Sequence, residues 1–249
     1  MLAAARVGDG PEPVVLLHGF LGSGRNLGSF ARRWSRLDPT RTFLLPDLPG
    51  HGVSPPVADA ANLGDIAREV LETARAEGFS GKLDWVGHSF GGRVSLAAAL
   101  VAPEAVRSVT LLDIAPGPIP EGTSESAQIL HHLLQAPDRV PDRETMRRFL
   151  LDRGVKPAIA EWLLMNLVHT DRGYVWRIDR HALARLHERA NRADLWEAVE
   201  RPVAPVRCVR AERARYVDDA DAERMRRAGC PVATIAGAGH FLHVDAPDA

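Results

Sequence analysis

Gly87-His88-Ser89-Phe90-Gly91 sets one serine between two glycines, with the apolar run Leu83–Val86 before it and an alanine-rich stretch to Leu100 after it. The pattern G-x-S-x-G, in that setting, reads as a strand that turns into a helix through a single strained serine. The flanking glycines have a steric reason, because so tight a turn brings neighbouring elements too close for side chains. Ser89 would stand above the strand end with the helix N-terminus behind it, where free N–H groups can hold an oxyanion developing on a carbonyl. A serine hydroxyl needs a base to become a nucleophile. Gly237-Ala238-Gly239-His240-Phe241-Leu242-His243 supplies two histidines late in the chain. His240, directly after a small-residue turn, is the predicted base, and His243 is read as structural. As metal ligands the pair lacks a third partner, so neither metal nor cofactor is expected.

The base in turn needs an acid to fix its tautomer and stabilise the imidazolium. In the chain order Ser…Asp…His, that acid usually follows the penultimate strand. Here the chain reads Arg210-Ala211-Glu212-Arg213-Ala214-Arg215-Tyr216-Val217, with Ala214 where an aspartate would ordinarily stand. Asp218 and Asp219, expected to cap the next helix, and Glu212 are nearby candidates. Asp113 is the leading one: it ends the strand after that of Ser89, about 4.8 Å away if the two are neighbours. The N–H groups of Phe90 and Phe20 are the expected oxyanion donors. His18, Asp47 and His51 are read as loop organisers.

These residues fall on a regular frame. Strands are predicted at Leu2–Val7, Pro13–Leu17, Thr42–Leu45, Leu83–Val86, Val109–Ile114, Val206–Val209 and Val232–Ala236, with helices at Ser29–Leu37, Asn62–Gly78, after Ser89, and at Ala220–Ala228. Such alternation implies an α/β fold with a mostly parallel sheet covered by helices on both faces. His18, Asp47, Ser89, Asp113 and His240 each leave the C-terminal end of a predicted strand, the edge where such sheets bind ligands. Between Pro118 and Pro202 the alternation stops, and helices are predicted at Glu125–Gln135, Arg143–Arg153, Pro157–Val168 and Asp179–Arg192. The organisation expected is a core of residues 1–117 and 203–249 with a helical insertion at 118–202. Gly22, Gly24 and Gly28 are read as a flexible turn that misses the dinucleotide fingerprint.

The 249 residues carry a formal net charge of −1, with 45% apolar and 25% charged side chains. No global field favours nucleic acid or an anionic membrane. The N-terminal apolar run is too short for a signal peptide, and no stretch reaches the length of a membrane span. Cys208 and Cys230 suggest buried free thiols, and a cytoplasmic location is expected.

The segments His18–Ser23, Asp47–Ser54, Gly87–Gly92 and Gly237–His243 resemble the α/β-hydrolase superfamily. More narrowly, LLDIAP at 111–116 and NLVHTDRGYVWRID at 166–179 are similar to small bacterial esterases related to mitochondrial abhydrolase-domain proteins. The resemblance implies an α/β-hydrolase fold with a helical lid inserted after the sixth strand, and hydrolysis of carboxylic or thioester bonds. Some such members place the acid after the sixth strand, which supports Asp113. The chain stops at Ala249, so the final helix usual for the fold is expected to be absent or truncated. The expected activity is an esterase using Ser89, His240 and Asp113 on a small ester with an apolar acyl group. Thioesterase, acyltransferase or lyase chemistry at the same site is the alternative, and a non-catalytic binding protein is a further one.

Overall fold

Alternating apolar residues decide which way each strand faces, and the computed structural model, which describes residues 1–120 and 124–248, sorts them into two layers of core. In chain order come β1 (Ala4–Val7), β2 (Glu12–Leu17), α1 (Gly24–Leu37), β3 (Arg41–Pro46), α2 (Leu63–Ala76), β4 (Leu83–His88), α3 (Phe90–Val101) and β5 (Val106–Leu112). Val14 and Leu16 of β2 pack with Leu27 and Ala31 of α1 on one face. Val15 and Leu17 face the other way, with Ile66 and Val70 of α2 and Val94 of α3. This is the period of two expected of strands buried on both sides.

The chain continues through α4 (Glu125–Leu134), β6 (Arg139–Val140), α5 (Arg143–Leu151), α6 (Pro157–Leu163), β7 (Leu167–Thr170), β8 (Gly173–Trp176), α7 (Arg180–Arg192) and α8 (Glu197–Glu200). It then rejoins the first sheet with β9 (Val206–Ala211), α9 (Asp219–Arg227), β10 (Val232–Ile235) and the short α10 (Leu242–Asp245). The seven-stranded sheet has the order β1-β3-β2-β4-β5-β9-β10. Only β1 pairs antiparallel, with β3; the other neighbours are parallel. β4 and β5 are neighbours, with His88 opposite Leu112, so Ser89 and Asp113 leave adjacent strand ends.

Three expectations change. α1 begins at Gly24 rather than Ser29, because Asn26 Oδ1 accepts from the Ser23 N–H at 2.7 Å and Asp47 Oδ1 from the Gly24 N–H at 2.8 Å. Gly24 serves close packing rather than a flexible turn: a Cβ there would lie 2.4 Å from the Leu45 carbonyl oxygen. Second, the 118–202 segment, of which residues 121–123 lie outside the described residues, is not purely helical. β6, β8 and β7 form a small antiparallel sheet. The helix expected to reach Val168 ends at Leu163, and after a 3-10 turn at Leu164–Asn166 the chain enters a hairpin in which Thr170 pairs with Gly173. Gly173 turns that hairpin at φ +103, a conformation open to glycine and strained for other residues. Third, the strand before this segment is the fifth along the chain rather than the sixth. Among the described residues no helix is long and apolar enough to cross a membrane, and both cysteines are free and buried.

Candidate active site

The turn between β4 and α3 is as tight as its glycines require. Ser89 sits at φ +52, ψ −115, outside the regions that L residues populate freely. A Cβ on Gly87 would lie 2.2 Å from the Gly91 carbonyl carbon, and one on Gly91 would lie 2.6 Å from the Leu17 carbonyl oxygen. Behind Ser89, Phe90 opens α3, so its N–H has no intrahelical acceptor.

His240 arrives from the loop between β10 and α10, and its Nδ1–H donates to Asp113 Oδ2 at 2.7 Å. The other carboxylate oxygen, Oδ1, accepts from the Ala211 N–H at 2.8 Å. Asp113 is completely buried and adopts φ +54, a conformation aspartate tolerates better than most residues. With Nδ1 committed as donor, His240 keeps Nε2 as an acceptor. Ser89 and His240 line one cavity of about 350 Å³. The Ser89 hydroxyl makes no hydrogen bond to another described residue.

The other candidate acids are occupied elsewhere. Asp218 caps α9 through the Asp221 N–H at 2.7 Å, Asp219 pairs with Arg210 at 2.7 Å, and Glu212 accepts from the Gly237 N–H at 2.7 Å. His18, Asp47 and His51 hold loops. His18 donates from Nδ1 to the Gly19 carbonyl at 2.8 Å and accepts at Nε2 from the Leu48 N–H at 2.9 Å. Asp47 accepts from the N–H groups of Gly24 and Val53, and His51 Nδ1 donates to the Pro49 carbonyl at 3.0 Å. Gly19 C=O also accepts from the Gly22 N–H at 3.0 Å. With that carbonyl held from two directions, the N–H of the same peptide, on Phe20, has no partner among the described residues. Among the described residues no cluster of side chains is arranged to hold a metal ion.

Several residues were not anticipated. Tyr216 stacks on His240, centroids 3.9 Å apart and 22° between planes, and so covers one face of the imidazole. His88, the variable residue of the glycine-serine motif, donates from Nε2 to the His240 carbonyl at 2.7 Å and so ties the elbow to the histidine loop. Arg93 of α3 is buried and reaches the carbonyls of Ala115 and Gly117 at one end of the 118–202 segment and of Ala190 and Ala193 at the end of α7, at 2.5–3.2 Å. Burial pushes its guanidinium down to about 10, against the pull of Asp194, so it stays charged beside a helix C-terminus. The cavity wall combines Phe20, Leu21 and Phe241 with Ile129, Ile159 and Trp162 from the 118–202 segment.

Five histidines around this site are held neutral, chiefly by burial: His18, His187 and His243 at about 4, His51 at about 3, and His88 well below its ordinary value. In the unfolded chain they titrate near 6.5. From there down to about 4 the unfolded chain binds more protons, so stability is fully present above 6.5 and is lost as pH falls through this window. Each group contributes a slope of up to about 1.4 kcal/mol per pH unit. Urea midpoints are therefore expected to be level above pH 7.5 and to fall steeply between pH 6.5 and 4.5. A midpoint unchanged across that interval would contradict the burial of these groups.

A model described as the alpha/beta hydrolase family matches residues 14–249. The chain is 28% identical over 240 residues to the sn-1-specific diacylglycerol lipase ABHD11 of Xenopus laevis, which covers 94% of this chain and 75% of that one. It is 27% identical over 246 residues to esterase YbfF of Escherichia coli, covering 96% and 89% respectively. A solved marine microorganism esterase superposes with a TM-score of 0.86 at 26% identity, covering 99% of this chain and 95% of that one.

Proposed function

This chain belongs to the alpha/beta hydrolase family, and on that premise we propose that it hydrolyses carboxylic esters through an acyl-enzyme formed on Ser89. The observation that carries the reading is the 2.7 Å hydrogen bond from His240 to Asp113, on the strand end beside that of Ser89. As substrate binds, the Ser89 hydroxyl closes on His240 Nε2, a contact that tightens on forming the complex. Oγ attacks the carbonyl carbon and Nε2 takes the proton. The carbonyl oxygen becomes an oxyanion between the N–H groups of Phe20 and Phe90, and Asp113 stabilises the imidazolium. Collapse of the tetrahedral adduct expels the alcohol, protonated by His240. A water then gives its proton to His240 as it attacks the acyl-enzyme, and the acid leaves with Ser89 restored.

The apolar wall suits an apolar acyl group, and the 118–202 segment acts as a lid by supplying Ile129, Ile159 and Trp162. A cavity of about 350 Å³ lies near the small end of the roughly 300–1,000 Å³ range of small-molecule sites, which favours one short acyl chain. A fluorophosphonate should label Ser89 one-to-one and abolish hydrolysis of p-nitrophenyl butyrate. The butyrate should be cleaved with higher kcat/KM than the palmitate. Labelling of another residue, or labelling of Ser89 without loss of turnover, would sink the proposal.

A further inference from the structure

Asn166 lies in the 118–202 segment, in the 3-10 turn before the β7–β8 hairpin, and is buried. Its own carbonyl accepts from the Arg177 N–H at 2.8 Å, which fixes it to the far end of that hairpin. Its side chain points away from the segment: Nδ2 donates to the Leu21 carbonyl oxygen at 3.0 Å, across 145 residues of chain. Leu21 is one of three non-glycine residues at positive φ among the described residues, at +62. A leucine in that conformation is strained and persists only where its surroundings hold it.

The carbonyl gripped by Asn166 belongs to the Leu21–Gly22 peptide. The N–H of that same peptide donates to the Gly19 carbonyl at 3.0 Å. The Gly19 carbonyl belongs to the Gly19–Phe20 peptide, whose N–H, on Phe20, has no partner among the described residues, and Phe20 lines the cavity that Ser89 lines. Three hydrogen-bonding groups thus run in series through two planar peptide units, from the Asn166 amide to the Phe20 N–H. Because each peptide is planar and trans, fixing its carbonyl fixes the opposite direction of its N–H. Hydrogen bonds in series also polarise one another.

We propose that Asn166 is a positioning residue for the oxyanion hole, orienting and polarising the Phe20 N–H through the Leu21–Gly22 and Gly19–Phe20 peptides. The inference rests on the ester-hydrolase reading of the site and adds a role for the inserted segment beyond covering it. His18 holds the Gly19–Phe20 peptide from the core side, and Asn166 holds the turn from the insertion side. Docking of the insertion is thereby coupled to completion of the hole.

Asn166→Asp keeps the shape and removes the donor, and Asn166→Ser keeps a shorter one. Losing an oxyanion donor outright costs roughly 10²–10³-fold in kcat; a donor misaligned at second hand should cost Asn166→Asp about tenfold, and Asn166→Ser less. KM for p-nitrophenyl butyrate should stay within twofold. Affinity for an alkyl boronic acid, which forms a tetrahedral anion on Ser89, should fall by the same factor as kcat/KM. Raised KM with unchanged kcat, or undiminished boronate affinity, would mean that Asn166 only supports the fold. If neither variant folds, through-hydrogen-bond couplings in the boronate-bound parent decide: couplings from Asn166 Nδ2 to the Leu21 carbonyl and from Gly22 N to the Gly19 carbonyl support the relay, and absence of either overturns it. A parent that does not hydrolyse the ester, or does so without labelling at Ser89, defeats the ester-hydrolase reading itself. An active, Ser89-labelled parent with unaffected variants defeats only the role of Asn166.

Discussion

Ser89→Ala lowers kcat for p-nitrophenyl butyrate by about 10⁶-fold and leaves the fold intact. On the proposed acyl-enzyme route Ser89 is the nucleophile of a set of residues that act as one unit, and the magnitude follows from its removal. Alanine tolerates φ +52 no worse than serine, so the strain of the elbow is unchanged and the melting temperature should stay within a few degrees. His240→Ala should cost about as much, and the double variant little more than either alone, because a base without its nucleophile contributes nothing. What rate remains, roughly 10³–10⁴-fold above water, belongs to binding and the oxyanion hole. Stopped assays should show a burst of p-nitrophenol in the parent and none in either variant. A Ser89→Ala protein retaining even a hundredth of the parent turnover would remove Ser89 from the chemistry.

The readings of Ser89 and His240 came from local patterns, because the steric demands of an elbow act between residues adjacent in sequence. Gly87 and Gly91 are required by contacts within the turn and with β2, and a pattern of small residues records that. The candidate acid was legible through topology and through the family resemblance: Asp113 gained its weight from the expected pairing of its strand with that of Ser89, and β4 and β5 do pair. The remaining residues around the site were hidden because their partners are distant. His88 occupies a position the motif leaves open, and its hydrogen bond runs to residue 240. Tyr216 sits in the loop where an acid is expected, yet its ring covers the imidazole. Asn166 is a polar residue within the helical spacing of the apolar Ile159, Leu163 and Leu167, which is the sequence signal it carries. The hairpin that follows it was missed for a related reason. Helical spacing persists through the 3-10 turn to Leu167, while the Asp171-Arg172-Gly173 turn sends the chain back as a strand.

Asp113→Asn lowers kcat by about 10⁴-fold, whereas Asp218→Asn, Asp219→Asn and Glu212→Gln leave it within a few-fold. The carboxylate of Asp113 accepts two hydrogen bonds, from the Ala211 N–H and from His240 Nδ1–H. An asparagine offers one acceptor and one donor in their place. If its oxygen stays on Ala211, the amide NH₂ faces Nδ1, and His240 must carry its proton on Nε2, where it can no longer accept from Ser89. If its oxygen turns to His240, the NH₂ confronts the Ala211 N–H, and a buried donor is left unpaired at a cost of about 1–3 kcal/mol. The first arrangement matches the wrong-tautomer loss of about 10⁴-fold expected for such a substitution. It should leave KM and fluorophosphonate access to the cavity unchanged while slowing the labelling rate in step with kcat. The three control substitutions neutralise a helix cap, an ion pair made by an exposed carboxylate and a loop staple, none of which touches the imidazole. Asp218→Asn should cost stability of at most about 1 kcal/mol, since asparagine caps helices nearly as well as aspartate. Wild-type turnover in Asp113→Asn, with loss in Asp219→Asn or Glu212→Gln, would move the acid to the loop after β9 and require that loop to rearrange when substrate binds.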